Sequence, residues 1–263
     1  MTHAPSTVVA STEAPRIAVQ MYSVREAGSL EQQLRLVRRC GFEWIETVGT
    51  QALDAARFAE IIAAHQLRVA SMHVSLAVLE ADPAEVLRAC ALTGCALIVM
   101  PWLPVAERCS TAAGWRALGE RLAARARVLA DHGVRLAYHN HDFEFLRYDG
   151  QAALEWIFTA AAPDVLGWEA DLGWLARAGC DPQQWLDRCG ARLAAIHAKD
   201  LAPDGPRRGE DGWSALGAGL MPWSTLLPAA ARLTRLIIFE HDQPLDHEDT
   251  LRRSRAFLRQ HLA

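Results

Sequence analysis

Leu136-Ala137-Tyr138-His139-Asn140-His141-Asp142-Phe143-Glu144-Phe145 begins as an apolar run and breaks into a dense cluster of metal-binding and proton-transfer side chains. Three other apolar runs end in a similar way. Leu166-Gly167-Trp168-Glu169-Ala170-Asp171, Leu193-Ala194-Ala195-Ile196-His197 and Leu236-Ile237-Ile238-Phe239-Glu240 each finish on a carboxylate or an imidazole. Read as parallel strands of one closed barrel, they bring four ligand-type residues to the C-terminal rim, where such barrels carry their chemistry.

Outward from these runs, short apolar strands alternate with amphipathic helices. Strands are predicted at 16–21, 42–48, 67–73, 96–100 and 134–139, followed by three that end at Asp171, His197 and Glu240. The first helix has Ser29 as a plausible N-cap, places Leu30, Leu34 and Val37 on one face, and stops at Gly41. Further helices are predicted at 54–65, after Pro83, and at 112–131, 151–160, 182–189, 223–233 and 247–261. Eight such units argue for the α/β class and a single (β/α)8 TIM barrel over residues 16–263, in preference to an open doubly wound sheet. A nucleotide-binding open sheet loses its main support, since no GxGxxG follows the first strand and no Walker-type loop is present. Residues 1–15, rich in Ser, Thr, Ala and Pro, are expected to form a disordered tail. The longest linker, 201–221, is rich in Gly, Arg and Asp and reads as a lid or substrate loop.

Composition narrows the partners. A formal net charge of −4 without Lys/Arg blocks removes the usual electrostatic case for nucleic acid or an anionic membrane surface. No apolar stretch approaches the length of a membrane span. Six cysteines without CxxC spacing read as reduced side chains, which points to the cytoplasm. Assembly into a homo-oligomer stays open. Every basic residue is Arg except Lys199, two positions after His197, so that position is read as needing a compact ammonium.

Side chains alternate along a strand, so His139 and His141 share a face, as do Glu169 and Asp171, and His197 and Lys199. Facing the barrel axis, His139 or His141 would join Asp171, His197 and Glu240 in a mixed N/O ligand set. That set suits one divalent ion such as Mn, Zn, Co or Fe(II), and Mg less well. Gln20, Glu46 and His73 end three early strands and are candidate substrate contacts at the same rim. Trp102, Trp174 and Trp213 lie in loops after strands, where they can pack on a sugar ring or on the core.

The motifs Val19-Gln20-Met21-Tyr22-Ser23-Val24-Arg25, Tyr138-His139-Asn140-His141-Asp142-Phe143-Glu144-Phe145, Trp168-Glu169-Ala170-Asp171, His197-Ala198-Lys199-Asp200 and Phe239-Glu240-His241-Asp242 resemble the xylose isomerase-like superfamily of sugar phosphate isomerases/epimerases. The resemblance covers the chain after residue 15. It implies a TIM barrel holding one divalent metal at the ends of strands five to eight, here His139, Asp171, His197 and Glu240, and acting on a small carbohydrate. Epimerases of this superfamily place Glu at the ends of strands five and eight. Here Glu240 matches the second, but strand five offers His139, with Glu144 farther along. Ala218 also stands where many relatives carry an acid.

The expected activity is a metal-dependent isomerase or epimerase of a keto-sugar or sugar phosphate. Glu240 would act as base, Glu144 or a His of the strand-five motif (His139, His141) would serve the other face, and Lys199 would stabilise negative charge. The alternatives are a dehydratase or lyase on a keto-sugar, 3-keto-glycoside or inosose, and a non-catalytic metal- and sugar-binding protein.

Overall fold

The computed structural model describes residues 14–203 and 209–262. Eight parallel strands close a barrel: β1 (Arg16–Gln20), β2 (Trp44–Val48), β3 (Arg68–His73), β4 (Leu97–Met100), β5 (Arg135–His139), β6 (Leu166–Asp171), β7 (Leu193–Ala198) and β8 (Leu236–Phe239). Each pairs with its sequence neighbours and β8 closes on β1, with Arg16 opposite Leu236 and Val19 opposite Phe239. The expected (β/α)8 barrel is therefore the observed one. Of the tail assigned to residues 1–15, all but Ala14 and Pro15 lie outside the described residues.

The outer ring comprises α1 (Leu30–Arg39), α2 (Ala55–Ala64), α3 (Ala84–Thr93), α4 (Ala112–Ala130), α5 (Ala153–Thr159), α6 (Pro182–Cys189), α7 (Trp223–Leu233) and α8 (His247–His261). Polar caps set several starts. Ser29 accepts from the Gln32 N–H in a capping box, and Asp54, Thr111 and Asp246 cap α2, α4 and α8. Each such cap contributes about 1 kcal/mol. Two short helices, Leu76–Ala81 and Leu172–Arg177, were not anticipated, because each lies in a loop too short for a periodic pattern.

The apolar surface divides in two. The larger cluster packs the outer faces of the strands against the helices, with Trp115, Trp168, Tyr138 and Phe42 fully buried. The smaller one, Ala18, Ala195, Leu236 and Ile238 with Trp44, Ala70 and Leu97 packed on it, takes the alternate strand positions and fills the barrel toward the strand N-termini. Two residues farther along β1, β2 and β7, and likewise past the end of β8, the inward positions turn polar: Ala18 gives way to Gln20, Trp44 to Glu46, Ala195 to His197, and Ile238 to Glu240. The period of two thus places an apolar plug under an ionisable layer.

Candidate metal centre and active site

His139 and Asp171 are the last residues of β5 and β6, His197 is next to last in β7, and Glu240 directly follows β8. All four are buried, and one donor atom from each lies within 4.8 Å of the others. His197 Nδ1 is 3.1 Å from Glu240 Oε2, while Asp171 Oδ2 is 3.9 Å from both His139 Nε2 and His197 Nδ1. Asp171 Oδ1 accepts from the Trp174 N–H, but its Oδ2 is buried with no hydrogen-bond partner. An orphaned buried carboxylate oxygen is costly. Burial, opposed by Lys199 and His197, pushes the Asp171 carboxyl up to about 7. A divalent cation at the shared point would supply the missing partner, and two imidazoles with two carboxylates form a donor set that fits one.

A second layer lies beneath. Glu46 Oε1 accepts from Gln20 Nε2 at 2.8 Å and sits 2.6 Å from His197 Nε2 and 3.0 Å from His73 Nε2, while its Oε2 accepts from Ser71 Oγ at 2.5 Å. Glu169 Oε1 lies 2.9 to 3.1 Å from His73 Nε2, His197 Nε2 and His139 Nδ1. Strand register produces these meetings, since His139 pairs with Glu169 and Gln20 with Glu46. His139 and His197 therefore each turn one ring nitrogen down to a carboxylate and the other up to Asp171. With the lower N–H donating, the upper nitrogen is free for a cation, the usual carboxylate–imidazole–metal relay. His73, His139, Glu169 and His197 form an overlapping ligand set. One cation can satisfy only one of the two sets, because His139 and His197 belong to both. Both sets reach the cleft, the lower through His73 and His139 and the upper through His139 and Glu240, but the upper brings two carboxylates to a cation against one and so offers it more compensating charge.

The charges follow from this crowding. Burial opposes charge at His73, yet Glu46 and Glu169 hold it at about 9. His197 is likewise held above its ordinary range despite burial, by Glu169, Glu46 and Glu240. His139 is pushed well down by burial and by the neighbouring imidazoles of His197, His141 and His73, so it is neutral and able to ligate. Lys199 is fully buried, with its Nζ 2.9 Å from Glu240 Oε2, 2.5 Å from Asp242 Oδ1 and 3.7 Å from Asp171 Oδ2. Burial would push its ammonium down, but Asp242, Glu240 and Asp171 outweigh that and hold it above the usual range. Trp213 and Trp174 flank it, their ring centroids 4.6 and 5.2 Å away.

Above the centre is a cleft of about 650 Å³. His139 and Glu240 reach its floor, His73 and His141 its sides, and Trp102, Trp174, Tyr22 and Phe143 supply aromatic wall. The volume lies within the ~300–1,000 Å³ typical of small-molecule sites. His73, His141, Trp102 and Trp174 thus stand where a substrate contact requires. Gln20 and Glu46 do not: both are fully buried in the lower layer and off the cleft, so as substrate contacts they are corrected to supports of the imidazoles. Their strands end lower in the barrel than parity alone suggests, and a register shift between Ile45 and Glu46 contributes.

Glu144 is corrected as well. Its carboxylate accepts from Tyr138 Oη at 2.7 Å and from the His141 N–H at 2.8 Å, fully buried and off the cleft. Tyr138 points outward, opposite to His139, and the 3-10 turn Phe143–Phe145 carries Glu144 to that side. Lys199 shares the side of His197 as expected, but it reaches the ligand carboxylates and not the cleft. Sequence reasoning also missed Ser71, Arg108 and the tie of Asp242 to Lys199. Asp242 was legible, two residues beyond Glu240 on the same side. Arg108, in a loop without periodicity, carried no signal.

The long linker after β7 begins in a short ribbon pairing Asp200–Leu201 with Trp213–Ser214. Asp200 then accepts from the N–H groups of Gly217, Gly219 and Met221 at 2.9, 3.2 and 3.0 Å. A Cβ at Gly219 would lie 2.2 Å from Asp200 Oδ1, so only glycine allows this approach. Asp211, on the same linker, lines the cleft, and the Arg177 guanidinium stacks 3.6 Å over the Trp213 ring.

Residues 34–261 match the family model described as xylose isomerase-like TIM barrel. No curated protein matches the chain significantly. Among solved structures, a sugar phosphate isomerase/epimerase from Parabacteroides distasonis superposes with a TM-score of 0.77 at 17% identity, covering 95% of this chain and 97% of that one. IolI, described as binding a zinc atom, gives 0.73 at 14% identity over 94% and 98%. A probable 3-DHS dehydratase, AsbF, from Bacillus anthracis gives 0.68 at 13% over 93% and 98%. At these identities the structural likenesses establish the fold alone. Most of the chain lies within the matched segment, and the protein belongs to the xylose isomerase-like TIM barrel family.

Proposed function

We propose that this chain is a metal-dependent isomerase or epimerase of keto-sugars or sugar phosphates that works by proton transfer through an enediolate. The observation that carries the reading is the convergence of His139, Asp171, His197 and Glu240 around the unpartnered Asp171 oxygen at the floor of an aromatic-walled cleft. His139, Asp171, His197 and Glu240 would hold a divalent ion, which when bound would supply a Lewis acid for a carbonyl and its neighbouring hydroxyl and so lower the cost of removing the adjacent C–H proton. Glu240 has its Oε2 occupied by Lys199 and His197, which leaves Oε1 to take that proton from the cleft side. Against burial, Lys199 and His197 keep Glu240 ionised and so available to accept a proton, while lowering its proton affinity. Burial and the Lys199 ammonium push the His141 imidazole down to about 3, so on its wall of the cleft it is neutral and hydrogen-bonds a substrate hydroxyl while Glu240 returns the proton to the adjacent carbon; Glu144 is too deeply placed to take part. Trp102 and Trp174 offer apolar faces for a sugar ring.

The cleft volume supports a second reading, a dehydratase or lyase acting on a keto-sugar, 3-keto-glycoside or inosose, because it leaves room for a leaving group beside the ring. The similarity of the fold to that of the probable dehydratase adds an associational argument. One experiment separates the readings: incubate the metal-loaded protein with candidate ketoses and 3-keto-sugars in D2O and follow the carbon next to the carbonyl by NMR. Metal-dependent deuterium exchange with epimer or aldose formation supports the isomerase. Loss of a hydroxyl or glycoside replaces it with the lyase. Binding without exchange leaves a sugar-binding protein.

A further inference from the structure

At the opposite end of the barrel, a second pocket of about 280 Å³ is lined by Ala14 to Ile17, Gly41 to Trp44, Arg255 and Arg259. Three guanidinium groups, those of Arg16, Arg255 and Arg259, line it against the single carboxylate of Glu43. Among the described residues none of the three has a carboxylate within ion-pairing distance, although Arg residues elsewhere in this chain pair repeatedly, as Arg39 does with Glu248 and Arg121 with Glu80. The pocket is built around its cations. Gly41 has φ of +90°, and a Cβ there would lie 2.8 Å from Arg255 Cζ, so the guanidinium rests directly against backbone. Arg16 and Arg68 cover the Trp44 ring at 4.8 and 5.3 Å, which adds a fourth cation at the edge and removes that ring as a stacking platform. Burial and the like charge of Arg259, with Arg38 adding to it and Glu43 opposing, push Arg255 below its ordinary range. Uncompensated cations held together in a concave site mark a place for an anion.

We propose that this pocket at the strand N-termini binds a small phosphate-bearing anion, gripped by Arg16, Arg255 and Arg259. The excess of two positive charges in the lining matches a phosphate group, which carries about −1.5 to −2 at pH 7. The volume lies below the ~300 Å³ at which drug-sized ligands begin, so the occupant is compact and not a nucleotide. The site is independent of the metal centre, which lies at the other end of the strands.

The test is calorimetric titration of inorganic phosphate and pyrophosphate into the full metal-loaded chain, at low and at physiological salt. Wild type, Arg16→Gln and the pair Arg255→Gln with Arg259→Gln are compared. Expected is one saturable site per chain, weakened at least tenfold in either variant and by added salt, with carbohydrate turnover unchanged in both. Absence of saturable binding overturns the proposal. Binding of equal strength in wild type and variants also overturns it, since it assigns the anion to the metal centre. Arg16→Gln, a single exposed substitution, keeps the test decisive if the double variant folds poorly.

Discussion

The two ionisable layers inside the barrel are built from similar side chains a couple of residues apart, yet they differ in what they lack. In the lower layer Glu46 has both oxygens occupied, by Gln20, His73, His197 and Ser71. In the upper layer Asp171 Oδ2 faces two imidazoles at 3.9 Å and the Lys199 ammonium at 3.7 Å, with no hydrogen-bond partner. Glu169 in the lower layer also has one oxygen, Oε2, without a hydrogen-bond partner, but its Oε1 meets three imidazoles, so that layer is largely held by its own contacts, whereas Asp171, met by one backbone N–H, needs a cation to complete it. The lower layer is thus a scaffold and the upper layer a receptor.

The hardest way to break this contrast is to remove the receptor. Asp171→Ala, His197→Ala and Glu240→Ala should each lose metal, read by elemental analysis of dialysed protein, and should lose turnover by about a thousandfold, the rate equivalent of the several kcal/mol a Lewis acid contributes. Full metal occupancy in any two would place the cation elsewhere. Lys199 joins the receptor electrostatically, so Lys199→Met should lower the unfolding free energy of chelator-treated protein by about 3–5 kcal/mol, the cost of leaving buried carboxylates without their cation. Saturating divalent ion should restore part of it, and unchanged stability would detach Lys199 from the centre.

Perturbing the scaffold should cost less. Glu169→Gln and Glu46→Gln should weaken metal binding by roughly 10–100-fold, measured by competition with a chelator, because each replaces the charged acceptor that orients an imidazole and raises its basicity with a neutral amide. Complete metal loss would instead make the deeper residues the true ligands. The smallest effect is expected for Glu144→Gln. Tyr138 can still donate to the amide oxygen, so turnover should fall by less than about tenfold, under one 1.36 kcal/mol step in barrier. A drop of several hundredfold would return Glu144 to the reaction.

Reading the chain from its sequence succeeded where periodicity and chemistry coincide. Leu193 to His197 and Leu236 to Glu240 are apolar runs that end in ionisable groups, which locates both the strand and its functional end. It failed where height or direction is set by the closed sheet. Gln20 and Glu46 end strands as His139 does, but barrel stagger and the register shift before Glu46 put them a layer lower. For Glu144 the period of two had already ended, and a single 3-10 turn decided which side of the wall it faced. Arg108 lines the cleft from a loop whose course depends on contacts far away in sequence.

Asp200 gathers three amide donors from residues 217–221 immediately after the strand that carries His197. It acts as a pier for a bridge whose freely variable span, from 203 to 212, stops short of Trp213 and Ser214, which pair with Asp200 and Leu201 and put the buried Trp213 ring on Lys199. Closure entropy rises only slowly with loop length, so that span can be lengthened or rewritten at small thermodynamic cost. Because the anchoring is done by backbone amides meeting one carboxylate, new sequence in the span leaves His197 where it is. Substrate range and metal chemistry can therefore diverge separately in descendants of this chain, the first by exchange of one segment and the second only by rebuilding the barrel axis.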